Sequence, residues 1–364
     1  MLNELLLSPL DQAHRAAGAG LTDFGGWLLP LRFGSDLAEH HAVRQAAGLF
    51  DLSHMAQLTI TGSGAGAGLN YALMGNHSAM PIGRASYSMI LAPDGGIIDD
   101  LIVYRLGQDR FFIIANAGNR QAVVENLSQR LTGFAAEMTD QTLDRGLIAV
   151  QGPASPQVMA AAGLPEAADL GYYRAAEATL AGHKVILART GYTGETGFEV
   201  SCERPAALEL WDLLIRVGQP FGLVLAGLAA RDSLRLEAAM PLYGHELDRD
   251  TTPAEGGQGA FLRSKEADFV GKAALARRPV TKHLVGLKGV GRRAARAGYP
   301  VFLDGQEVGQ ITSGMLSPTL GYLIALASLA GPEPAPGTAL QVAIRGQMAE
   351  FTVTKLPFYS KEKI

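Results

Sequence analysis

Leu284-Val-Gly-Leu287, Tyr299-Pro-Val-Phe-Leu303, Glu307-Val-Gly-Gln-Ile-Thr312, Tyr322-Leu-Ile-Ala-Leu-Ala-Ser328, Leu340-Gln-Val-Ala-Ile344 and Glu350-Phe-Thr-Val-Thr354 are short apolar runs divided by turns that contain glycine. Evenly spaced short strands with a turn signal between them indicate a small antiparallel barrel. Upstream the texture differs. Ser35 to Ala47 reads as a helix, with Ser35 as N-cap, Glu39 in the first turns and Gly48 in the left-handed position past the end. Leu58 to Thr61 alternates as a strand, and Ala65 to Met74 reads as a helix. Leu101-Ile-Val-Tyr and Phe111-Phe-Ile-Ile-Ala flank Gly107-Gln-Asp as the arms of a hairpin do. Helix 118–131, strand Leu147–Val150, a helix near Ser155–Ala162 and strand His183–Arg189 follow. Pro205 and Gly218 then bracket an apolar helix, and another covers Leu228 to Ala239. Helices and strands thus mix as far as the Gly- and Lys-rich stretch 256–282, after which the barrel pattern begins. The expected class is α+β with a C-terminal antiparallel β-barrel, divided into regions 1–279 and 280–364.

At 364 residues the chain is long enough for two to three domains of ~150 residues. Its 31 basic and 35 acidic side chains leave a net charge of -4, so no long-range field favours nucleic acid or an anionic membrane. The single cysteine, Cys202, excludes an internal disulfide and a Cys-rich metal cluster. No uncharged apolar stretch reaches the ~18 residues that would span a bilayer. The start, Met1-Leu-Asn-Glu-Leu-Leu-Leu, carries Glu4 where a secretion signal is basic. The expected location is cytoplasmic.

Gly62-Ser-Gly64-Ala-Gly66-Ala67 follows a strand and opens a helix, as a dinucleotide-binding turn does. About 20 residues on, where that motif needs a ribose-binding acid, stands Pro81-Ile-Gly-Arg-Ala-Ser, so the turn reads as a small-residue connection. His40 and His41 are adjacent and fall on different helix faces, which is not metal-ligand spacing. No G-x-S-x-G elbow exists, and Cys202 has no evident base.

Gly95-Gly-Ile-Ile-Asp99-Asp100-Leu-Ile-Val-Tyr104 places two acids in an apolar strand, where neighbours point to opposite faces. A carboxylate beside a core needs a partner or a function. A turn-capping acid beside a solvated one reads equally well from the residues alone. Thr190-Gly-Tyr-Thr-Gly-Glu-Thr-Gly-Phe-Glu199 is a Gly-punctuated loop that either cradles a planar polar ring or simply turns a hairpin. Arg231 and Arg235 are i,i+4 neighbours and repel unless Asp232, Glu237 or a ligand anion intervenes. Residue types alone assign no chemistry to Ser53-His54-Met55.

Taken in order along the chain, these segments resemble one family. Gly48-Leu-Phe-Asp-Leu-Ser-His-Met55, Gly95-Gly-Ile-Ile-Asp-Asp-Leu-Ile-Val103, Asn116-Ala-Gly-Asn119, Gln151-Gly-Pro-Ala154, Thr190-Gly-Tyr-Thr-Gly-Glu195, Gly227-Leu-Ala-Ala-Arg-Asp-Ser-Leu-Arg-Leu-Glu237 and Pro241-Leu-Tyr-Gly244 are similar to the T-protein family of the glycine cleavage system. Gly298-Tyr-Pro-Val, Gly309-Gln-Ile-Thr-Ser-Gly314, Ser317-Pro-Thr-Leu320 and Leu356-Pro-Phe358 extend the likeness. The resemblance implies a three-lobed cloverleaf, with two intertwined α+β folate-binding lobes and the barrel. It implies a tetrahydrofolate-dependent aminomethyltransferase that needs no metal. Its partner would be the lipoylated H-protein, with P- and L-proteins in the same system. By resemblance Asp100 is the catalytic carboxylate. Met55, Tyr87, Ile114 and Asn116 would surround the pterin cavity, Tyr192, Glu199 and Arg231 would contact folate, and Arg296 would come from the C-terminal domain. The chain departs from the pattern at Glu255-Gly-Gly-Gln-Gly-Ala260, where relatives end in tryptophan, and at Gly321, where they carry lysine. The rival expectations are a folate-dependent demethylase of the same superfamily and a non-catalytic folate-binding protein of iron–sulfur maintenance.

Overall fold

The computed structural model describes residues 5–260, 265 and 267–361; the Met1–Glu4 start, read above for a leader, lies outside them. The chain divides into two compact units, Met1–Ser88 with Asp100–Arg231 and Met89–Asp99 with Asp232–Ile364. Among the described residues no helix is long and apolar enough to cross a membrane.

In the first unit, one sheet runs in the order Ala175–Leu180, His183–Ala188, Gly197–Glu203, Arg145–Gln151, Ala47–Asp51 and Leu223–Leu225. Its core face carries Leu49, Val150, Leu187, Phe198 and Val200, on which Val158 and Met159 of helix Ser155–Ala161 and Leu210, Trp211 and Leu214 of helix Ala207–Gly218 are buried. A second sheet has the order Ala85–Leu91, Ile97–Gly107, Arg110–Ala115, Ala56–Thr61 and Glu137–Asp140. The predicted hairpin is its centre, with Val103 opposite Ile113 and Tyr104 opposite Phe112. Six strands of these sheets, Ala47–Asp51, Ala85–Leu91, Glu137–Asp140, Ala175–Leu180, Gly197–Glu203 and Leu223–Leu225, were not anticipated. Gly197–Glu203 begins inside the stretch read as a loop, and every residue but its last is buried. Ala175–Leu180 pairs with His183–Ala188 across a tight turn.

The first predicted helix forms over Asp36–Gln45, and the Ala38 amide donates to Ser35 Oγ at 3.3 Å. Its end differs from expectation. Strand Ala47–Asp51 starts at once, and Gly48 lies within it, where a Cβ would fall 2.4 Å from Val43 Cγ2. Close packing of helix on strand, not a left-handed cap, is what requires glycine there. Glu39 accepts from the amides of Phe33 at 2.8 Å, Gly34 at 3.0 Å and Gly227 at 2.9 Å, so this first-turn acid ties three backbone segments together.

The glycine-rich turn is filled by the protein's own backbone. Gly62 has φ +118°, and a Cβ there would lie 2.3 Å from the Ala135 carbonyl oxygen; one at Gly64 would lie 2.6 Å from the Ala135 nitrogen. Gly62→Ala combines backbone strain with a steric collision, and is expected to destabilise the first unit by about 3 kcal/mol. Urea unfolding followed by fluorescence measures it, since Trp27 and Trp211 both lie in that unit.

In the second unit the six C-terminal strands close into the expected barrel, in the order Lys282–Gly289, Leu323–Ala330, Gln306–Leu316, Pro300–Leu303, Ala339–Ile344 and Gln347–Thr354. Leu287, Val301, Ile311, Ala325, Val342 and Phe351 fill it. The partners of Arg235 now resolve. Its guanidinium donates to Asp232 at 2.8 Å, to buried Glu246 at 2.9 Å and to Ser313 Oγ at 2.8 Å. Glu237 instead accepts from Ser317 Oγ and the Thr319 amide. Of the two neighbouring arginines, Arg235 is therefore a structural one.

Candidate active site

Strand alternation separates the two adjacent acids. Asp99 is wholly buried, whereas Asp100 keeps part of its surface. The acid with residual access is the one that the resemblance makes catalytic. Leu101 pairs with Ala115, so the register brings Asp100 beside Asn116. Asn116 Nδ2 donates to Asp100 Oδ1 at 2.8 Å and to the Asp100 carbonyl at 3.1 Å. The Tyr87 hydroxyl, from strand Ala85–Leu91, donates to Asp100 Oδ2 at 2.9 Å.

Burial raises the Asp100 pKa, and the bonds from Tyr87 and Asn116 oppose that rise; the result is a value of about 6. A carboxyl poised near neutrality both accepts and returns a proton at working pH. Tyr87 is pushed well above its ordinary range by burial and by the Asp100 charge, so it stays a donor.

A second acid lies in the same unit. Glu199 is on the Gly197–Glu203 strand, where it accepts from Thr190 Oγ1 and, at 3.4 Å, from the Tyr104 hydroxyl. Burial raises its pKa against those bonds and the positive charge of Arg231. Arg231 stands over the Tyr192 ring, 4.6 Å from its centre, a cation–π contact that occupies one face of the tyrosine. The loop carrying Tyr192 is fixed from below. Gln151 donates to the Thr190 carbonyl at 3.2 Å and accepts from Thr193 Oγ1 at 2.9 Å, and the buried Arg44–Glu195 pair closes it at 2.9 Å. Glu195 of this motif is thus a brace.

Ile114 is 8% exposed on the strand that ends just before Asn116; Met55 is half-buried, one step before the Ala56–Ala115 pair. Arg296 belongs to the second unit, where it is exposed and opens the turn to Tyr299.

Tyr173 escaped the sequence reading. Burial, then Tyr172, Glu199 and Asp100, push its hydroxyl well above the ordinary tyrosine range, so both carboxyls act on one phenol. Its φ is 56°, a strained value for a bulky residue. Two bonds enforce it: its carbonyl accepts from the Ala85 amide at 2.9 Å, and its amide donates to the Arg189 carbonyl at 3.0 Å. Gly171-Tyr-Tyr-Arg174 carries no sequence signal for this conformation. His54 is buried, and its pKa falls to about 4 through burial, with Arg231 adding to the fall and Asp51 opposing it; its ring meets Phe24 edge-on. Cys202 is buried and its thiol is pushed up to about 11 by that burial, which leaves it a poor nucleophile.

The GCVT N-terminal domain profile matches residues 10–266, and the glycine cleavage T-protein C-terminal barrel domain profile matches residues 282–360. The chain is 50% identical to an aminomethyltransferase of Streptomyces avermitilis, over 97% of each chain. It is 42% identical to one of Moorella thermoacetica, over 99% of each. The crystal structure of glycine cleavage system aminomethyltransferase T from Bartonella henselae superimposes with a TM-score of 0.91 at 36% identity, over 98% of this chain and 99% of that one. Fold, barrel and these full-length matches together define a transferase of the aminomethyltransferase class. The chain belongs to the glycine cleavage T-protein family.

Proposed function

We propose that this enzyme transfers the one-carbon unit of an aminomethyl group, carried on the lipoyl arm of the H-protein, to tetrahydrofolate. Ammonia, 5,10-methylenetetrahydrofolate and the dihydrolipoyl H-protein are the products. The observation that carries the reading is Asp100, a carboxyl held by Tyr87 and Asn116 with its pKa raised to about 6. In this role Asp100 orients the reacting nitrogens, accepts a proton and stabilises the positive charge that develops as ammonia leaves. The donor set suits a pterin: Glu199 and Asp100 are desolvated acceptors for ring N–H groups, and Tyr192 with Arg231 adds an aromatic and cationic wall. Met55, Tyr87, Ile114 and Asn116 are assigned to the pterin side, and Arg296 to a contact from the C-terminal domain. The reading requires no metal. It places the boundary of the barrel domain near residue 280 and the enzyme in the cytoplasm, working with P- and L-proteins. The full-length match to aminomethyltransferases does not favour the demethylase or iron–sulfur readings.

The direct test supplies aminomethyl-loaded, lipoylated H-protein with and without tetrahydrofolate and measures ammonia and methylenetetrahydrofolate. Tetrahydrofolate-dependent release of both supports the proposal; folate binding without turnover refutes it. A pH profile tests the mechanism further. The Tyr87 bond favours ionised Asp100, so Tyr87→Phe raises the Asp100 pKa. The acid limb of kcat against pH, with its midpoint near 6 in the parent, moves to higher pH. Activity at pH 6 therefore falls more than activity at pH 8, and an unshifted limb removes Tyr87 from this role.

A further inference from the structure

Away from the Asp100 cluster, the first unit carries a second polar concavity, with a volume of about 480 Å³. Its wall is a row of charged residues set by strand register. Arg145 stands opposite Glu203, Thr179 opposite Lys184, and Lys184 lies one step beyond the Val185–Cys202 pair, next to Glu203. Thr59 and Arg110 line it from the five-stranded sheet, and Gln141 from just past the end of strand Glu137–Asp140. A neighbouring hollow of about 400 Å³ shares Arg145, Glu203 and Gln141.

The charges of this wall are not all matched. Arg110 is paired with Glu177 at 2.6 Å. Arg145 has no carboxylate partner among the described residues. Its Nε donates to Ser201 Oγ at 2.8 Å, one terminal nitrogen donates to the Ser201 carbonyl at 3.1 Å, and the guanidinium lies over Phe112. The other terminal nitrogen makes no hydrogen bond to the described residues. The Lys184 ammonium and the Glu203 carboxylate likewise have no hydrogen-bond partner there. Arg145 is half-buried; desolvation pulls its pKa down, and Cys202 and Glu203 oppose that fall. Behind this wall the wholly buried Gln57 accepts from Ser201 Oγ, which fixes the hydroxyl that Arg145 meets.

With Arg110 neutralised, the wall presents two cations and one carboxylate. A dianion such as phosphate would meet Glu203, and a plain cation would meet Arg145 and Lys184. A ligand with one carboxylate and one neighbouring ammonium matches all three. We propose that this concavity is a binding site for a small α-amino acid, its carboxylate on Arg145 and Lys184 and its ammonium on Glu203. None of these residues belongs to the proposed transfer site, so the site would be a separate one on the enzyme.

Isothermal titration of the full-length protein with glycine, acetate, ethylamine and inorganic phosphate tests this. Glycine is expected to bind saturably and at least fivefold more tightly than acetate, with no saturable heat from ethylamine. Lys184→Gln is expected to weaken glycine at least fivefold, and Lys184→Arg to restore it. Glu203→Gln is expected to bring glycine down to the affinity of acetate. Both residues are exposed, so these variants keep the fold. Equal affinities for glycine and acetate, tighter binding of phosphate, absence of saturation with glycine, or glycine binding indifferent to both substitutions would each overturn the proposal.

Discussion

Asp100→Asn lowers kcat/KM for folate-dependent aminomethyl transfer by about 100-fold or more. Asparagine keeps the shape of the side chain, and its oxygen still accepts from Tyr87 or Asn116, so the change removes the titratable group and little else. A 100-fold loss corresponds to about 2.7 kcal/mol of transition-state stabilisation, within the range that general acid–base catalysis supplies. The loss should fall on kcat with a smaller change in the KM for tetrahydrofolate, because orientation survives while proton transfer does not. The acid limb near pH 6 should vanish with it. A melting temperature matching the parent shows that the fold is intact. Parent-like turnover would keep the family and remove Asp100 from the chemistry.

The physical reason for that poised pKa was only half legible in the sequence. Alternation along an apolar strand announces that adjacent acids face opposite ways, and Asp99 and Asp100 do. It does not say which is the deeper one. That depends on which face meets the core, and here it is Asp99 that is wholly buried. The barrel was read almost strand for strand, because each strand is short, apolar and closed by a glycine turn. Gly197–Glu203 was missed for the opposite reason: it follows directly on a glycine-rich loop, so the punctuation that normally marks a strand start was smeared over ten residues, 190–199. Glu199 was thus read as part of a loop, whereas it lies on that strand. Arg231 and Arg235 show the same limit. Their i,i+4 repulsion is evident from spacing, but the relief of one by Glu246 and the stacking of the other on Tyr192 depend on tertiary packing. Tyr173 had no signal at all, since its conformation is imposed by two backbone bonds to distant segments.

Asp51 belongs to a motif that residue types alone could not interpret, and its substitution carries the largest expected stability effect. The carboxyl is 6% exposed at the end of strand Ala47–Asp51. It accepts from the Ser8 hydroxyl, from the Ser53 amide at 2.8 Å, and meets His14 Nε2 at 2.7 Å, with Ser8 and His14 themselves buried. His14 sits edge-on between Phe33 and Trp211, so the acid fastens the N-terminal helix Asp11–Ala16 to the central sheet of the first unit. Burial alone would raise the Asp51 pKa; His14, Ser53 and Ser8 outweigh it and hold the acid below its ordinary value. A depressed carboxyl pKa contributes stability that is present above the unfolded value of about 4 and is lost as pH falls through the lower folded value. Asp51→Ala should therefore destabilise the first unit by about 3–5 kcal/mol at neutral pH, since three buried donors lose their acceptor together. Asp51→Asn retains an acceptor and should cost less. Urea midpoints read from Trp211 fluorescence, taken at pH 7 and again near pH 3, separate the charge from the shape. The gap between parent and asparagine variant should narrow in acid, where the parent's carboxyl begins to protonate. An alanine variant within 1 kcal/mol of the parent would show that packing of His14 against Trp211 fastens the helix without the acid.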